Sequence, residues 1–162
     1  MSLKDEIEKL ISAELDKLET HDQKDKEFYE RQKQRFIPMR GIIEEISKSV
    51  GPEYIRVAIH ESDARIELGR KNINAYFEED VRWEIEPNYE WEPPWKGSSL
   101  RCERPGFRVE ERITYQYPNY ETSEHAYTFN DEQATAEYLV KKIAEKVGFY
   151  RHLETSAAKN KK

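Results

Sequence analysis

The feature that most constrains the fold is an alternation of apolar and polar residues over twelve positions, from Val81 to Glu92. One parity carries Val81, Trp83, Ile85, Pro87, Tyr89 and Trp91, and the other carries Arg82, Glu84, Glu86, Asn88, Glu90 and Glu92. A period of two is typical of a β-strand that buries one face. Because proline cannot donate to a sheet ladder, Pro87 predicts an edge strand or two strand pieces joined at a bend.

Shorter stretches with the same period lie on both sides of this segment. They predict strands over residues 54–59, 64–68, 73–77, 107–117 and 122–129. Residues 95–105 are expected to form a loop. Short connections between successive strands favour an antiparallel meander.

Helical periodicity occupies the two ends of the chain. The first apolar stripe consists of Leu3, Ile7, Leu10, Ile11, Leu15 and Leu18, which recur at steps of mostly three or four residues. The polar segment 19–27 and Pro38 are expected to divide the first 50 residues into two or three helical pieces. A second helix is predicted after a capping box at Asn130, with Gly148 as its C-cap.

These elements predict an α+β domain. It contains an antiparallel β-meander of about five or six strands, with N-terminal helices and one C-terminal helix packed on one face. We expect three parts: an amphipathic helical arm over residues 1–36, the α+β domain over 37–153, and a disordered tail over 154–162.

Charge and composition exclude some classes of protein. The formal net charge is −6, which argues against broad, non-specific nucleic-acid binding because that function needs a basic face. Apolar runs are too short for a membrane span, and Cys102 is the only cysteine, so a cytoplasmic protein is expected. No phosphate-binding loop or metal motif is present, and no cofactor is predicted.

Four glutamates lie on the polar parity of the aromatic strand: Glu84, Glu86, Glu90 and Glu92. Same-face neighbours on a strand are roughly 6.6 Å apart, whereas calcium ligands lie about 2.3–2.6 Å from the ion. This spacing does not favour a metal site. We expect Arg108 and Arg112 of the next strand to pair with these carboxylates.

Two titratable residues interrupt the apolar parity of the later strands. Glu111 shares parity with Phe107 and Val109, and His125 shares parity with Tyr127. One allowed register makes Glu111 and His125 diagonal neighbours, and a desolvated carboxyl beside a histidine is suited to acid–base chemistry. The two residues are therefore candidate catalytic groups, and the alternative is a structural role within the core.

The segment Trp91-Glu92-Pro93-Pro94-Trp95 extends past the regular alternation. The two prolines keep the backbone extended, and tryptophan is enriched in binding hot spots. We predict that Trp91, Pro93, Pro94 and Trp95 contact a protein partner, whereas Trp83 and Tyr89 belong to the core.

The N-terminal stripe predicts self-association. A helix with an apolar face must bury that face, and the polar segment 19–27 separates the stripe from the predicted domain. The leading hypothesis is a non-enzymatic protein-interaction or adaptor module that forms a homodimer through Leu3, Ile7, Leu10, Ile11, Leu15 and Leu18. The alternative is a small enzyme or ligand-binding domain with an apolar pocket and a pair of polar groups, Glu111 and His125.

Overall fold

The computed structural model describes residues 2–69, 79–92, 100–115 and 120–160. Its elements are α1 (Leu3–Val50), β1 (Ile55–Ile59), β2 (Ala64–Leu68), β3 (Glu79–Trp91), β4 (Arg101–Tyr115), β5 (Glu121–Phe129) and α2 (Glu132–Asn160). The five strands form one antiparallel sheet in the order β1-β2-β3-β4-β5. The predicted α+β fold with a β-meander is confirmed, and the strand predicted at 73–77 lies outside the described residues.

The aromatic strand β3 lies in the middle of the sheet, so the edge-strand alternative for Pro87 was wrong. Strand β2 pairs with β3 only as far as the Ala64–Ile85 pair. Pro87 lies beyond that end, so no backbone hydrogen bond to β2 is required of it. On the other side, Pro87 stands opposite Phe107 of β4.

A β-bulge follows immediately. The register passes from the Pro87–Phe107 pair to the Tyr89–Glu103 pair, so β4 has two extra residues opposite Asn88. Gly106 adopts φ = 83° there, and a Cβ at this position would lie 1.7 Å from the carbonyl oxygen of Phe129. Only glycine fits this backbone. Strand β4 begins at Arg101, so the predicted loop was too long.

Helix α1 is continuous, which corrects the prediction of two or three pieces. Ser2 caps it by accepting a hydrogen bond from the Asp5 amide at 3.3 Å. Pro38 has no N–H, so the carbonyl of Gln34 loses its helical hydrogen bond. Both residues are exposed to water. Phe36 on the preceding turn and Met39 just after the proline are fully buried, and this packing holds the helix together.

Helix α2 also departs from the sequence expectation at both ends. Asp131, and not Asn130, caps it by accepting from the Ala134 amide at 2.8 Å. The helix continues through Gly148 and includes residues 154–160, where a disordered tail was predicted. Contacts beyond Gly148 explain the extension, because Tyr150 is buried and Glu154 accepts a hydrogen bond from the Tyr54 hydroxyl at 2.7 Å.

The hydrophobic core lies between the two helices and one face of the sheet. It is built from α1 after Phe28, from the inward parity of the strands and from one side of α2. The largest fully buried side chains are Trp83, Tyr150, Phe36, Met39, Ile43, Ile66, Leu68, Ile85 and Leu139. The other face of the sheet is charged and open to solvent.

Candidate interaction surfaces

The first candidate surface is the N-terminal part of α1, residues 3–24. It is shorter than the arm of residues 1–36 predicted from the sequence, and from here on "the arm" means residues 3–24. All six predicted stripe residues are exposed, with fractions between 49% for Ile7 and 72% for Leu3. The first buried residue of α1 is Phe28, so packing on the sheet begins earlier than the predicted boundary at residue 37. At 1.5 Å per residue the arm is about 33 Å long.

The arm continues the buried face of the helix. From Leu18 the same spacing leads through His21 and Asp25 to Phe28, at steps of three or four residues. Positions related by these steps lie on one side of a helix. The exposed stripe therefore faces the same side as the residues of α1 that pack on the sheet, but it is not covered by any described part of the chain.

The second candidate surface is the end of the sheet nearest the arm. Arg101 of β4 forms an ion pair with Asp25 of α1 at 3.1 Å. Its guanidinium also lies over the rings of Phe28, Tyr89 and Trp91, with distances to the ring centroids of 4.6, 5.7 and 5.8 Å. These cation–π and ionic contacts connect α1 to β3 and β4.

Trp91 remains accessible at this end. Its side chain is 59% exposed, although one side of the ring contacts Arg101 and Tyr89. Tyr89 is half-buried and packs edge-on against Phe28 at 5.7 Å. Trp83 is fully buried, as predicted. Pro93, Pro94 and Trp95 lie outside the described residues, so their part in partner binding stays a prediction.

The structure places Glu111 and His125 directly opposite each other on β4 and β5, where a diagonal arrangement was expected. The Glu111 carboxylate is buried, and one oxygen accepts hydrogen bonds from Trp83 Nε1 and from the Tyr138 hydroxyl, both at 2.8 Å. His125 is exposed, and its Nε2 lies 3.0 Å from Ser123 Oγ. Each group therefore has partners within the fold, and the geometry supports a structural role for Glu111.

Burial affects the phenol that bonds to Glu111. The pKa of Tyr138 is raised well above its usual range, mainly by burial and then by its hydrogen bond to the Glu111 carboxylate. Tyr138 therefore stays protonated and acts as a permanent donor. It links α2 to β4, while Trp83 links β3 to the same carboxylate.

The outward face of the sheet carries arginines and carboxylates in alternation. Arg108 stands opposite Glu86, as expected, but it forms its ion pair with Glu110 at 3.0 Å. Arg112 pairs with Glu124 of β5, and no ion pair joins it to a β3 glutamate among the described residues. The β3 glutamates mostly use other partners: Glu84 lies 3.5 Å from Arg65, and Glu90 lies 2.9 Å from Arg104.

Burial raises the pKa of Glu86 above its ordinary value, and the nearby Arg108 partly opposes that effect. Within the described ranges, no group of three or more metal-binding side chains comes together. No helix in the described part of the chain is both long enough and apolar enough to cross a membrane.

A third surface was not predicted from the sequence. It is a groove of about 570 Å³ between α1 and α2 on their solvent side, here called the interhelical groove. Its lining is mostly apolar: Ile42, Ile46, Val50, Val140, Ile143, Ala144, Val147 and Gly148, with Glu45, Ser49 and Arg151 as polar neighbours. The sequence signal for this groove is the apolar stripe of α2, formed by Ala136, Leu139, Val140, Ile143, Ala144 and Val147. Within that stripe, Val140 is 52% exposed.

No protein-family model matches this chain, and no match was found among curated proteins or solved structures. A functional proposal therefore depends on the surfaces described above.

Proposed function

We propose that this protein is an interaction module that self-associates through the arm and presents the Trp91 end of its sheet to a protein partner. The observation that carries the proposal is the exposed stripe: six large apolar side chains on one helix, each about half exposed or more. Exposed apolar side chains clustered in this way mark protein–protein contact sites.

The energetics favour a dimer that dissociates on dilution. Burying one half-exposed Leu or Ile contributes on the order of 1 kcal/mol. Two copies of the stripe therefore contribute about 12 kcal/mol, and association costs roughly 4–15 kcal/mol. At the lower cost the balance is about −8 kcal/mol, which corresponds to a dimer that dissociates at about micromolar concentrations.

Light scattering on the full chain and on a variant lacking residues 1–18 tests this proposal. The truncation leaves the packed part of α1 intact, since burial begins at Phe28. We expect the full chain to have a mass above that of the monomer and the truncated chain to be monomeric. An unchanged mass, with equal solubility of both proteins, would overturn self-association.

The partner-binding part of the proposal is supported by the exposure of Trp91 beside a half-buried tyrosine and an arginine, the residue types that dominate binding hot spots. Affinity capture with Trp91→Ala tests this part of the proposal. Tyr120→Ala is the matched control, because Tyr120 is an exposed aromatic residue that lies just before β5, away from the end of β3. A partner lost with Trp91→Ala and kept with Tyr120→Ala supports the assignment. Equal capture by both variants contradicts it.

A further inference from the structure

The arm and the interhelical groove are two uncovered apolar surfaces of one chain. We infer that they cover each other between two copies: the arm of one protomer lies in the interhelical groove of a second copy, and the exchange is reciprocal. This inference rests on the proposed self-association and specifies its acceptor surface.

The two surfaces cannot meet within one chain. The arm and the α1 wall of the groove belong to the same helix, which is continuous from Leu3 to Val50. Leu18 and Ile42 are 24 residues apart, which is about 36 Å along a straight helix axis. The arm extends away from its own groove, so only another molecule can fill that groove with this stripe.

The dimensions agree. The α2 wall of the groove runs from Val140 to Arg151, which is about 16 Å of helix. The whole stripe, from Leu3 to Leu18, is about 22 Å long, so the groove can cover most of it. An amphipathic helix that lays its apolar face into a hydrophobic groove is a recurring mode of recognition.

The arm is acidic, since residues 3–18 carry five carboxylates and three lysines. The charged side chains that line the groove are Glu45 and Arg151, so the lining itself is balanced. Charge therefore does not oppose the contact, and Arg151 offers a cationic partner to a carboxylate of the arm.

Parallel pairing of two arms is less favourable. Glu14 lies on the stripe side of the arm, between Leu10 and Leu18 at steps of four residues. A parallel pair of arms would place the two Glu14 carboxylates against each other in the interface, where like charges repel. In the groove, the cationic partner available to Glu14 is Arg151.

Cysteine cross-linking distinguishes the two arrangements. The native Cys102 is replaced by serine, and one chain carries Leu10→Cys while a second chain of different tag length carries Val140→Cys. Both positions are exposed. After mixing and mild oxidation, we expect the mixed Leu10→Cys/Val140→Cys product to dominate. A product of two Leu10→Cys chains would overturn the groove assignment and leave self-association standing.

A second measurement uses the free energy of association. Val140→Glu adds a charge within the groove, and Phe149→Glu adds the same charge at an exposed apolar position that does not line it. We expect Val140→Glu to weaken dimerisation at least tenfold and Phe149→Glu to change it less than threefold. Equal effects of the two variants would overturn the groove assignment. A wild-type chain that stays monomeric at every concentration would overturn this inference together with the proposed function.

Discussion

Trp83 Nε1 and Glu111 Oε2 lie 2.8 Å apart in the core, and the same carboxylate oxygen accepts a second hydrogen bond from Tyr138. The tryptophan comes from β3, the carboxylate from β4 and the phenol from α2. Buried polar groups with satisfied partners specify a single arrangement of the elements that carry them. This network fixes the position of α2 over the sheet and hence one wall of the interhelical groove.

Tyr138→Phe should lower the free energy of unfolding by about 1–2 kcal/mol, because it removes a donor from a buried carboxylate. The matched control is Tyr120→Phe, since Tyr120 is largely exposed. Urea denaturation of both variants checks the difference. Equal stability of the two proteins would show that the hydroxyl has no structural role.

The same residue predicts a pH dependence. The pKa of Tyr138 is raised in the folded protein above its ordinary value of 10.0. Its contribution to stability is fully present below about pH 10 and is lost at higher pH, because only the unfolded tyrosine ionises there. Between about pH 9 and 11, wild type should lose more stability than Tyr138→Phe. Parallel pH profiles would contradict the raised pKa.

Gly106→Ala should destabilise the fold by about 3 kcal/mol or more, because a Cβ there meets the Phe129 carbonyl and φ is positive. Gly41→Ala is the control, since open space surrounds that helical glycine. It should stabilise α1 by roughly 0.5–1 kcal/mol. Thermal denaturation compares the two. A similar melting temperature for both variants would rule out the described bulge.

Arg35 supports the bulge from α1. Its guanidinium donates hydrogen bonds to the carbonyls of Asn88 at 3.0 Å and Gly106 at 3.1 Å, and also to that of Arg104. Arg35→Gln should cost about 2–3 kcal/mol of stability. Arg31→Gln, which breaks only an exposed ion pair with Glu103, should cost less than about 1 kcal/mol. Similar losses in chemical denaturation would mean that Arg35 acts merely as a surface charge.

Glu86→Gln should stabilise the protein at neutral pH. Burial raises the pKa of Glu86, because the ionised carboxylate is disfavoured in the folded state. The stability that this group contributes below its ordinary pKa of 4.5 is therefore lost as pH rises. The gain should not exceed about 1 kcal/mol at pH 7 and should vanish below about pH 4. Glu84→Gln, on the same exposed face, should bring no gain. Denaturation at both pH values checks the sign, and a loss at pH 7 would contradict it.

Local patterns predicted much of this fold. The alternation around Trp83 located β3 and its buried face, and the parity of Glu111 marked that residue as unusual before its position was known. Its partners could not be predicted, because the Tyr138 contact depends on where α2 lies. The direct opposition of Glu111 and His125 depends on a register that no local pattern specifies.

Tertiary contacts explain where the sequence expectations were wrong. Pro38 and the polar segment 19–27 suggested breaks, yet burial of Phe36 and Met39 outweighs one missing hydrogen bond. Gly148 suggested a helix end, yet Tyr150 and Glu154 hold the next turns in place. The interhelical groove was missed for the same reason, since it exists only when both helices are placed.

The most direct test of self-association is sedimentation equilibrium of three full-length proteins over a range of micromolar concentrations. They are wild type, a stripe variant (Ile7→Gln, Leu10→Gln, Leu15→Gln) and a control on the opposite side of the arm (Lys9→Gln, Ser12→Gln, Asp16→Gln). Wild type and the control should rise from the monomer mass of 19.4 kDa toward twice that value, while the stripe variant stays monomeric. A wild-type mass that stays at 19.4 kDa, or equal masses for the stripe variant and the control, would contradict the account.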